Sequence, residues 1–248
     1  SVGDTVSAKD GGNFAGNVAM AGTLGVTGAL TGTTGTFTGV VQATDDIGNS
    51  FNQFYALGDG NVGGIRFGNT TATNGFIYYD NGSNMNFHSA GVEHMRISSI
   101  GAVTKPLQPA FLVTPNAAQN NIAVGSQVDI VFGNEVYDVG SNFASNAFTA
   151  PVTGKYQLNG RVRLGAVHQP SAYYTMRITT SNRVYEQIFD SNENSNGNLD
   201  YHPFEVSTVA DMDASDTAKI QIYQNSGTQE TDIEAGTNNT QFSGFLAC

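Results

Sequence analysis

The stretch from Phe148 to Leu164 constrains the fold most strongly, because its side chains alternate between apolar and polar after a turn. Pro151 and Gly154 mark the turn, since Pro presets φ and Gly tolerates positive φ. After the turn, the even-numbered side chains are apolar at Tyr156, Leu158, Val162 and Leu164. The odd-numbered side chains between them are polar at Gln157, Asn159, Arg161 and Arg163. A period of two is the pattern of a strand with one buried face. The stretch therefore predicts a core β-strand.

The same pattern recurs through residues 106–248. No segment there shows a helical period over eleven or more residues, and many short strands at even spacing are typical of a sandwich or a jelly roll. The further predicted strands are Val128–Phe132, Tyr174–Ile178, Val184–Phe189, Phe204–Val206, Lys219–Tyr223 and Gln241–Leu246.

Two motifs in this region resemble a known family. Phe148-x-x-Pro-x-x-Gly-x-Tyr156, together with Phe242-Ser-Gly-Phe-Leu246, resembles the C1q-like branch of the C1q/tumour-necrosis-factor jelly rolls. Pro109–Phe111, Val136–Asp138 and Met212–Ile222 resemble further segments of that family. The chain departs from it at Ser215, where the family has Gly, and at Leu158, where animal members prefer an aromatic residue. The resemblance implies a C1q-like jelly-roll head.

Composition divides the chain into three predicted domains. All six prolines lie at or after Pro106, whereas twenty of the thirty glycines precede it. We predict a Gly-rich repeat shaft at 1–44, a small β-hairpin module at 45–105 and the jelly-roll head at 106–248. The whole chain is predicted to be all-β.

The shaft segment places glycines every three or four residues between single apolar residues. Its core is Met20–Val41, in which the apolar residues are Leu24, Val26, Leu30, Phe37 and Val40. The spacing is not the strict Gly-X-Y of collagen. Either this is a flexible linker, or short strands wrap with identical copies around a shared axis, and the regular apolar insertions favour the second. The segment resembles repeats in bacteriophage tail fibres.

The middle module combines short apolar runs with hairpin turns. The runs are Ile65–Phe67, Phe76–Tyr79, Met85–Phe87 and Met95–Ile97, and the turn signals before and between them are Asp59-Gly60, Asn74-Gly75, Asp80-Asn-Gly82 and Ala90-Gly91. The segment Ile77–Ile97, with Gly101 after it, also resembles modules of phage tail fibres.

Charge excludes some partners. The net charge is −11, with ten basic and twenty-one acidic residues, so neither nucleic acid nor an anionic membrane is an expected partner. No apolar run approaches the roughly 20 residues of a membrane span. Cys248 is the only cysteine, which excludes an intrachain disulfide and leaves an incidental thiol or, as the less favoured alternative, a link between chains. Because the chain begins with Ser1, we expect a longer protein with a further N-terminal attachment region.

The sequence contains only incomplete motifs for catalytic and metal sites. Gly58–Gly63 matches G-x-G-x-x-G but precedes a β segment rather than a helix. The four histidines lack the spacing of metal ligands. Asp211, Asp213 and Asp216 imitate the start of an EF-hand loop but lack its later Gly and Glu. We predict no enzyme activity and no cofactor, although calcium at the top of a trimer stays open because some C1q-like domains bind it there.

Recognition is predicted in two polar loops. Residues 190–202 form the longest run without a strand pattern, and residues 168–174 form a second loop with aromatic residues. Loops on rigid scaffolds often carry binding sites, and the alternative is that both are ordinary surface loops. The candidate receptor-binding residues are Tyr173, Tyr174, Asn192, Glu193, Asn196, Tyr201 and His202.

These expectations combine into one hypothesis. The chain is predicted to be the homotrimeric, extracellular tip of a phage tail fibre in the virion, which binds a glycan or protein receptor on the host and joins other tail proteins through the N-terminal region. Trimerisation would bury apolar strand faces and multiply weak binding. The alternatives are a purely structural trimerisation clamp of a fibre or cellular adhesin, and a tailspike that degrades polysaccharide.

Overall fold

A computed structural model describes residues 63–67, 75–80, 82–193 and 197–248. The predicted shaft, the segment 45–62 and the greater part of the G-x-G-x-x-G match lie outside these residues. Within the described ranges the regular structure is β-strand, apart from one 3₁₀ turn, Ser191–Glu193. None of the described segments is a helix of the length and hydropathy that crossing a membrane would require.

The middle module is a five-stranded antiparallel meander. Its strands pair in chain order: β1 Gly63–Phe67, β2 Gly75–Tyr79, β3 Met85–Ser89, β4 Val92–Ile97 and β5 Val103–Thr104. The four predicted runs are confirmed as strands. The turn between β2 and β3 is held by Asp80, whose carboxylate accepts hydrogen bonds from Asn84 N at 2.9 Å and from Asn84 Nδ2 and Asn86 Nδ2 at 3.0 Å. These donors lower the pKa of Asp80 to about 2.

Residues 110–246 form a sandwich of two sheets. Its strands are β6 Ala110–Thr114, β7 Gln127–Asp129, β8 Asn134–Asp138, β9 Phe143–Ala144, β10 Ala147–Thr149, β11 Gly154–Val167, β12 Tyr173–Thr180, β13 Val184–Phe189, β14 Leu199–Met212, β15 Thr217–Asn225, β16 Asp232–Ile233 and β17 Gln241–Leu246. The front sheet has the strand order β14-β11-β17-β6-β8, with β16 beside β11, and the back sheet has the order β13-β12-β15-β10-β9, with β7 beside β15.

The path of the chain through these strands is that of a jelly roll. It passes from β10 in the back sheet to β11 in the front sheet, returns for β12 and β13, and then alternates through β14, β15 and β17. The predicted all-β class and sandwich are thereby confirmed.

Several predicted boundaries are wrong, among them that of Phe204–Val206, which is part of a strand that runs to Met212. The strand expected over Val128–Phe132 ends at Asp129, and Leu199–His202, expected in a loop, belongs to β14. Leu199 pairs with Val167 and His202 pairs with Leu164, because β11 is long enough to extend the ladder past the apolar part of β14. A polar edge strand can pair along its backbone whatever its outward side chains are.

Aromatic rings fill the core between the sheets. Phe111 of the front sheet stacks on Phe148 of the back sheet with 4.6 Å between ring centroids, and Phe242 meets Phe111 edge-on at 4.9 Å. All three side chains are fully buried. Such pairs add attraction beyond the burial of their area, so these rings hold the two sheets together.

The structure explains the motif that begins at Phe148. The Tyr156 hydroxyl donates a 2.7 Å hydrogen bond to the Val152 carbonyl and so closes its own turn, while burial raises the pKa of Tyr156. A Cβ on Gly154 would lie 2.6 Å from Leu246 Cδ1 and 2.7 Å from Cys248 O. The glycine is therefore required by the close approach of the C-terminal segment.

Candidate functional site

Three loops meet at one end of the sandwich, in their described residues 168–172, 190–193 with 197–198, and 226–231. Gln169 N donates to Asn198 Oδ1 at 3.0 Å, and Ser191 Oγ donates to Ser171 O at 2.6 Å. Asn198 Nδ2 reaches Glu230 Oε1 at 2.9 Å in the third loop. These bonds fix the described parts of the loops against one another. This end of the sandwich, which we call the loop end, is the surface where the predicted recognition loops lie.

A buried polar network lies beneath the loop end. The Tyr174 hydroxyl accepts a hydrogen bond from His168 N at 3.0 Å, lies 2.8 Å from Thr231 Oγ1 and accepts one from Ser171 Oγ at 3.2 Å. Tyr174 is fully buried. Its predicted place on an exposed binding surface is therefore wrong, because its ring packs in the core and its hydroxyl ties the loops to the sheet.

His168 lies in a row that superficially resembles a catalytic triad. Its Nδ1 is 3.5 Å from Ser171 Oγ, and its Nε2 is 3.5 Å from Glu230 Oε1. The Thr228 backbone N–H, which can only donate, points at Nδ1 at 3.2 Å, so the neutral ring carries its proton on Nε2, facing Glu230. Ser171 is fully buried and also accepts a hydrogen bond from Gln224 Nε2. The row thus orders the loops, and its hydroxyl is closed to a substrate.

Tyr201 and His202 point in opposite directions, because they are consecutive residues of a strand. Tyr201 is 58% exposed on the outer face of the front sheet. The Arg163 guanidinium carbon lies 4.6 Å from the centre of its ring, and Arg163 Nη2 lies 3.9 Å from Glu234 Oε2. This cation–π contact holds the tyrosine ring at the surface.

His202 turns inward and packs among aromatic rings. Its imidazole contacts Phe189 and Phe204, and desolvation by burial lowers its pKa from the ordinary 6.5. His202, predicted as a receptor-binding residue, therefore does not share the outer face of the sheet with Tyr201.

The other predicted residues lie on separate surfaces. Asn192 is exposed at the loop end, and Tyr173 is half-buried on the outer face of the back sheet. Asn196 lies outside the described residues, and of Glu193 the backbone alone is described. For these four residues, receptor contact stays a prediction. Tyr223, which lies beside Tyr173, was missed because its strand pattern marked it only as part of β15.

The acidic turn between β14 and β15 is closed by its own hydrogen bonds. Asp216 Oδ2 accepts from Asp213 N at 2.8 Å and from Asn182 Nδ2 at 2.6 Å. In the part of the chain that the structure describes, no three His, Cys, Asp or Glu side chains come together as a metal site. Calcium at the top of a trimer, which needs several copies, stays a prediction.

Comparisons with known proteins find solved structures of low sequence identity. The chain matches no protein-family model and no curated protein. The globular domain of zebrafish complement 1qA protein is 16% identical with a TM-score of 0.42, over 57% of this chain and 98% of that chain. Murine APRIL at pH 8.0 is 12% identical with a TM-score of 0.42, over 56% and 98%, and at pH 5.0 it is 11% identical with a TM-score of 0.40, over the same shares.

At such identities and TM-scores these similarities decide neither fold nor function. The jelly-roll sandwich is established by its own strand pairing.

Proposed function

We propose that this chain is the non-enzymatic, homotrimeric tip of a bacteriophage tail fibre, which attaches the virion to the surface of its host. The phage context is supported by the sequence resemblances of residues 20–41 and 77–97 to tail-fibre repeats and modules. Trimerisation is supported by an apolar area on the outer face of the front sheet, and this is the observation on which the proposal chiefly depends.

This apolar patch consists of Ala110, Leu112, Tyr137, Val209 and Phe245. Strand register brings them together. Gln157 pairs with both Val209 and Phe245, Phe245 pairs with Ala110, and Leu112 pairs with Tyr137. Val209, Phe245 and Tyr137 are 56%, 47% and 48% exposed in the single chain. The patch therefore has members on β14, β17, β6 and β8, with the polar Gln157 of β11 between Val209 and Phe245 and Ser243 of β17 beside Leu112.

Further along the same face the side chains become polar and then charged. Asn159 and Ser207 follow the patch, and beyond them Arg161 pairs with Glu205 at 3.4 Å, with Glu205 71% exposed. An apolar area with a polar margin is the usual composition of a protein–protein interface. A second and third copy of this chain are its proposed occupants, because burying the patch would remove several exposed apolar side chains from water at once.

Receptor contact is proposed at the loop end through Asn192, with Tyr173 and Tyr201 on the flanking faces. Three copies on one rigid tip would raise the effective affinity of a weak site, since the second and third contacts become intramolecular.

Light scattering tests the assembly. We expect a molar mass three times 26.1 kDa, measured with a reducing agent so that Cys248 plays no part. Phe245→Glu places a charge in the patch and should give a folded monomer, whereas Ile188→Glu, at the 61% exposed Ile188 of the back sheet, should stay trimeric. A folded wild-type monomer would contradict the proposal.

Binding to cells tests attachment. Fluorescently labelled chain, mixed with a panel of bacterial strains, should stain at least one strain, and excess unlabelled chain should compete. Asn192→Ala with Tyr201→Ala should reduce the staining without changing the molar mass. If the trimer stains no strain, a structural clamp is the better function, and release of reducing ends from host polysaccharide would instead indicate a tailspike enzyme.

A further inference from the structure

We propose that the outer face of the back sheet, around Tyr173 and Tyr223, is a binding site for an uncharged glycan. This rests on the proposed function in one respect, since the glycan would be the receptor that the fibre tip recognises. The site consists of Tyr173, Thr175, Ile188, Tyr223 and Asn225, with Gln127 at its margin, and we call it the tyrosine face.

Strand pairing assembles the tyrosine face from four strands. Thr175 of β12 pairs with Tyr223 of β15 on one side and with Ile188 of β13 on the other. Tyr223 in turn pairs with Gln127 of β7. Because side chains alternate along each strand, all four of these residues point away from the core.

The two tyrosines form one continuous aromatic surface. Tyr173 and Tyr223 lie on neighbouring strands, with 5.9 Å between ring centroids and 39° between ring planes. The apolar faces of sugar rings pack on aromatic rings, and this spacing is similar to the length of one pyranose ring. Tyrosine suits such contacts because its large, stiff ring loses little conformational entropy on binding.

The surface is formed in advance of any ligand. Thr175 faces outward, yet it is only 2% exposed, so the side chains around it already cover this part of the sheet. Asn225 Nδ2 reaches the Tyr223 hydroxyl at 3.4 Å. A platform whose side chains are already ordered loses less entropy when it binds.

Amide groups border the aromatic rings. Gln127 is exposed, and Asn225 is half-buried and pairs with Tyr173 across the strands. Carboxamides both donate and accept hydrogen bonds, which matches the mixed donor and acceptor character of sugar hydroxyls. Aromatic area with a few such polar groups is the typical lining of a small-molecule site.

The charges on this face cancel in pairs. Arg177 Nε contacts Glu186 Oε2 at 2.8 Å, and Lys219 Nζ contacts Asp129 Oδ2 at 2.9 Å. The outward residues of β7, β12, β13 and β15 therefore carry two basic and two acidic side chains, whereas the whole chain carries a net charge of −11. An acidic polysaccharide would meet repulsion from the chain without a free cation here to offset it. The face suits an uncharged ligand.

Calorimetric titration of the full chain tests the site. The probes are trisaccharides of glucose, galactose and N-acetylglucosamine, with trigalacturonate as the acidic comparison. We expect binding of at least one neutral probe and none of trigalacturonate. Tyr173→Ala and Tyr223→Ala should each weaken that binding about tenfold, which corresponds to about 1.4 kcal/mol, since each removes an aromatic ring that the sugar stacks on.

Two further variants make the test specific. Tyr223→Phe keeps the ring and should keep most of the affinity. Tyr79→Ala removes a 52% exposed tyrosine of the hairpin module and should change nothing. No binding of any neutral probe, preferential binding of trigalacturonate, or unchanged affinity in the Tyr173→Ala/Tyr223→Ala double variant would each overturn the proposal.

Cell staining separates this inference from the proposed function. Suppose that the Tyr173→Ala/Tyr223→Ala variant stains a strain as strongly as the wild-type chain does. The proposed attachment function then holds, and the tyrosine face is not the receptor site. If staining survives periodate oxidation of the cells but not protease treatment, the receptor is a protein and the glycan proposal fails. If glycan binding needs both tyrosines but no strain is stained, the site stands and the attachment function fails.

Discussion

The imidazole ring of His202 lies almost parallel to the phenyl ring of Phe189, with 3.7 Å between ring centroids and 13° between ring planes. Phe204 meets the same imidazole edge-on at 4.8 Å. Phe189 lies on the edge strand of the back sheet and His202 on the edge strand of the front sheet. The stack therefore closes the sandwich along its open edge, and it does so with a side chain that can take up a proton.

Stability should fall in mildly acidic solution because of this stack. The pKa of His202 is below 6.5 in the folded chain, so the unfolded chain binds the proton first as pH decreases. The contribution of His202 is thus present above about pH 6.5 and is lost as pH falls towards the folded pKa. His202→Phe keeps a stacked ring without titrating. Urea unfolding at pH 7.5 and pH 5.0 should show a smaller pH dependence for His202→Phe than for wild type, and His94→Phe, at an exposed histidine, should behave as wild type.

Removing the Tyr174 hydroxyl should loosen the loop end. Tyr174→Phe removes the hydroxyl that His168 N–H and Thr231 Oγ1 share, and leaves them the longer 3.3 Å hydrogen bond to each other. We expect a loss of about 1–2 kcal/mol in the free energy of unfolding, together with faster amide exchange in residues 168–171 and 226–231. Tyr173→Phe, one residue earlier on the outer face, should change stability by less than about 0.5 kcal/mol. Equal effects of the two variants would contradict the anchoring role of Tyr174.

Replacing Ser215 with glycine should stabilise the folded chain. Its φ is +76°, a left-handed conformation that costs a residue with a Cβ roughly 1–2 kcal/mol, and its N–H bonds to Ala150 O at 2.8 Å, which fixes the turn. Because glycine also gains freedom in the unfolded chain, Ser215→Gly should raise the unfolding free energy by about 0.5–1 kcal/mol. Ser243→Gly, in the extended backbone of β17, should lower it by a similar amount. A destabilised Ser215→Gly protein would refute this account.

Gly160 allows the two sheets to approach each other. A Cβ there would lie 2.6 Å from Met176 Cε and 2.7 Å from Ile220 Cδ1, so Gly160→Ala should cost about 1–3 kcal/mol in thermal or chemical unfolding. Met176→Val removes the nearer atom, and the double variant should be less destabilised than the sum of the two single variants. Simple additivity would show that the clash is relieved elsewhere.

The fold was predictable wherever local pattern and packing agree. The alternation after Pro151 placed Tyr156 and Leu158 in the core, and Val184–Phe189 and Gln241–Leu246 became strands with the predicted bounds. The predicted ends of strands were wrong where a partner strand determines them. Leu199, for example, pairs only because β11 extends to Val167.

The site was harder to predict, because sequence distance does not give the direction of a side chain. Tyr173 and Tyr174 read as one aromatic pair, yet the strand sends them to opposite faces. The neighbour that completes the surface of Tyr173 is Tyr223, fifty residues further along the chain. Its role depends on β12 and β15 lying side by side, which is a property of the assembled sheet.

The place of β17 determines when the head can form during synthesis. This last strand of the sandwich inserts between β11 and β6, and it pairs with both. Until residues 241–246 have left the ribosome, the facing edges of those two strands lack their partner, and the front sheet remains as two separate parts. Unpaired strand edges invite aggregation. Translation that stops short of residue 241 therefore yields a head without its central strand, and the edges of β11 and β6 stay open in such incomplete chains.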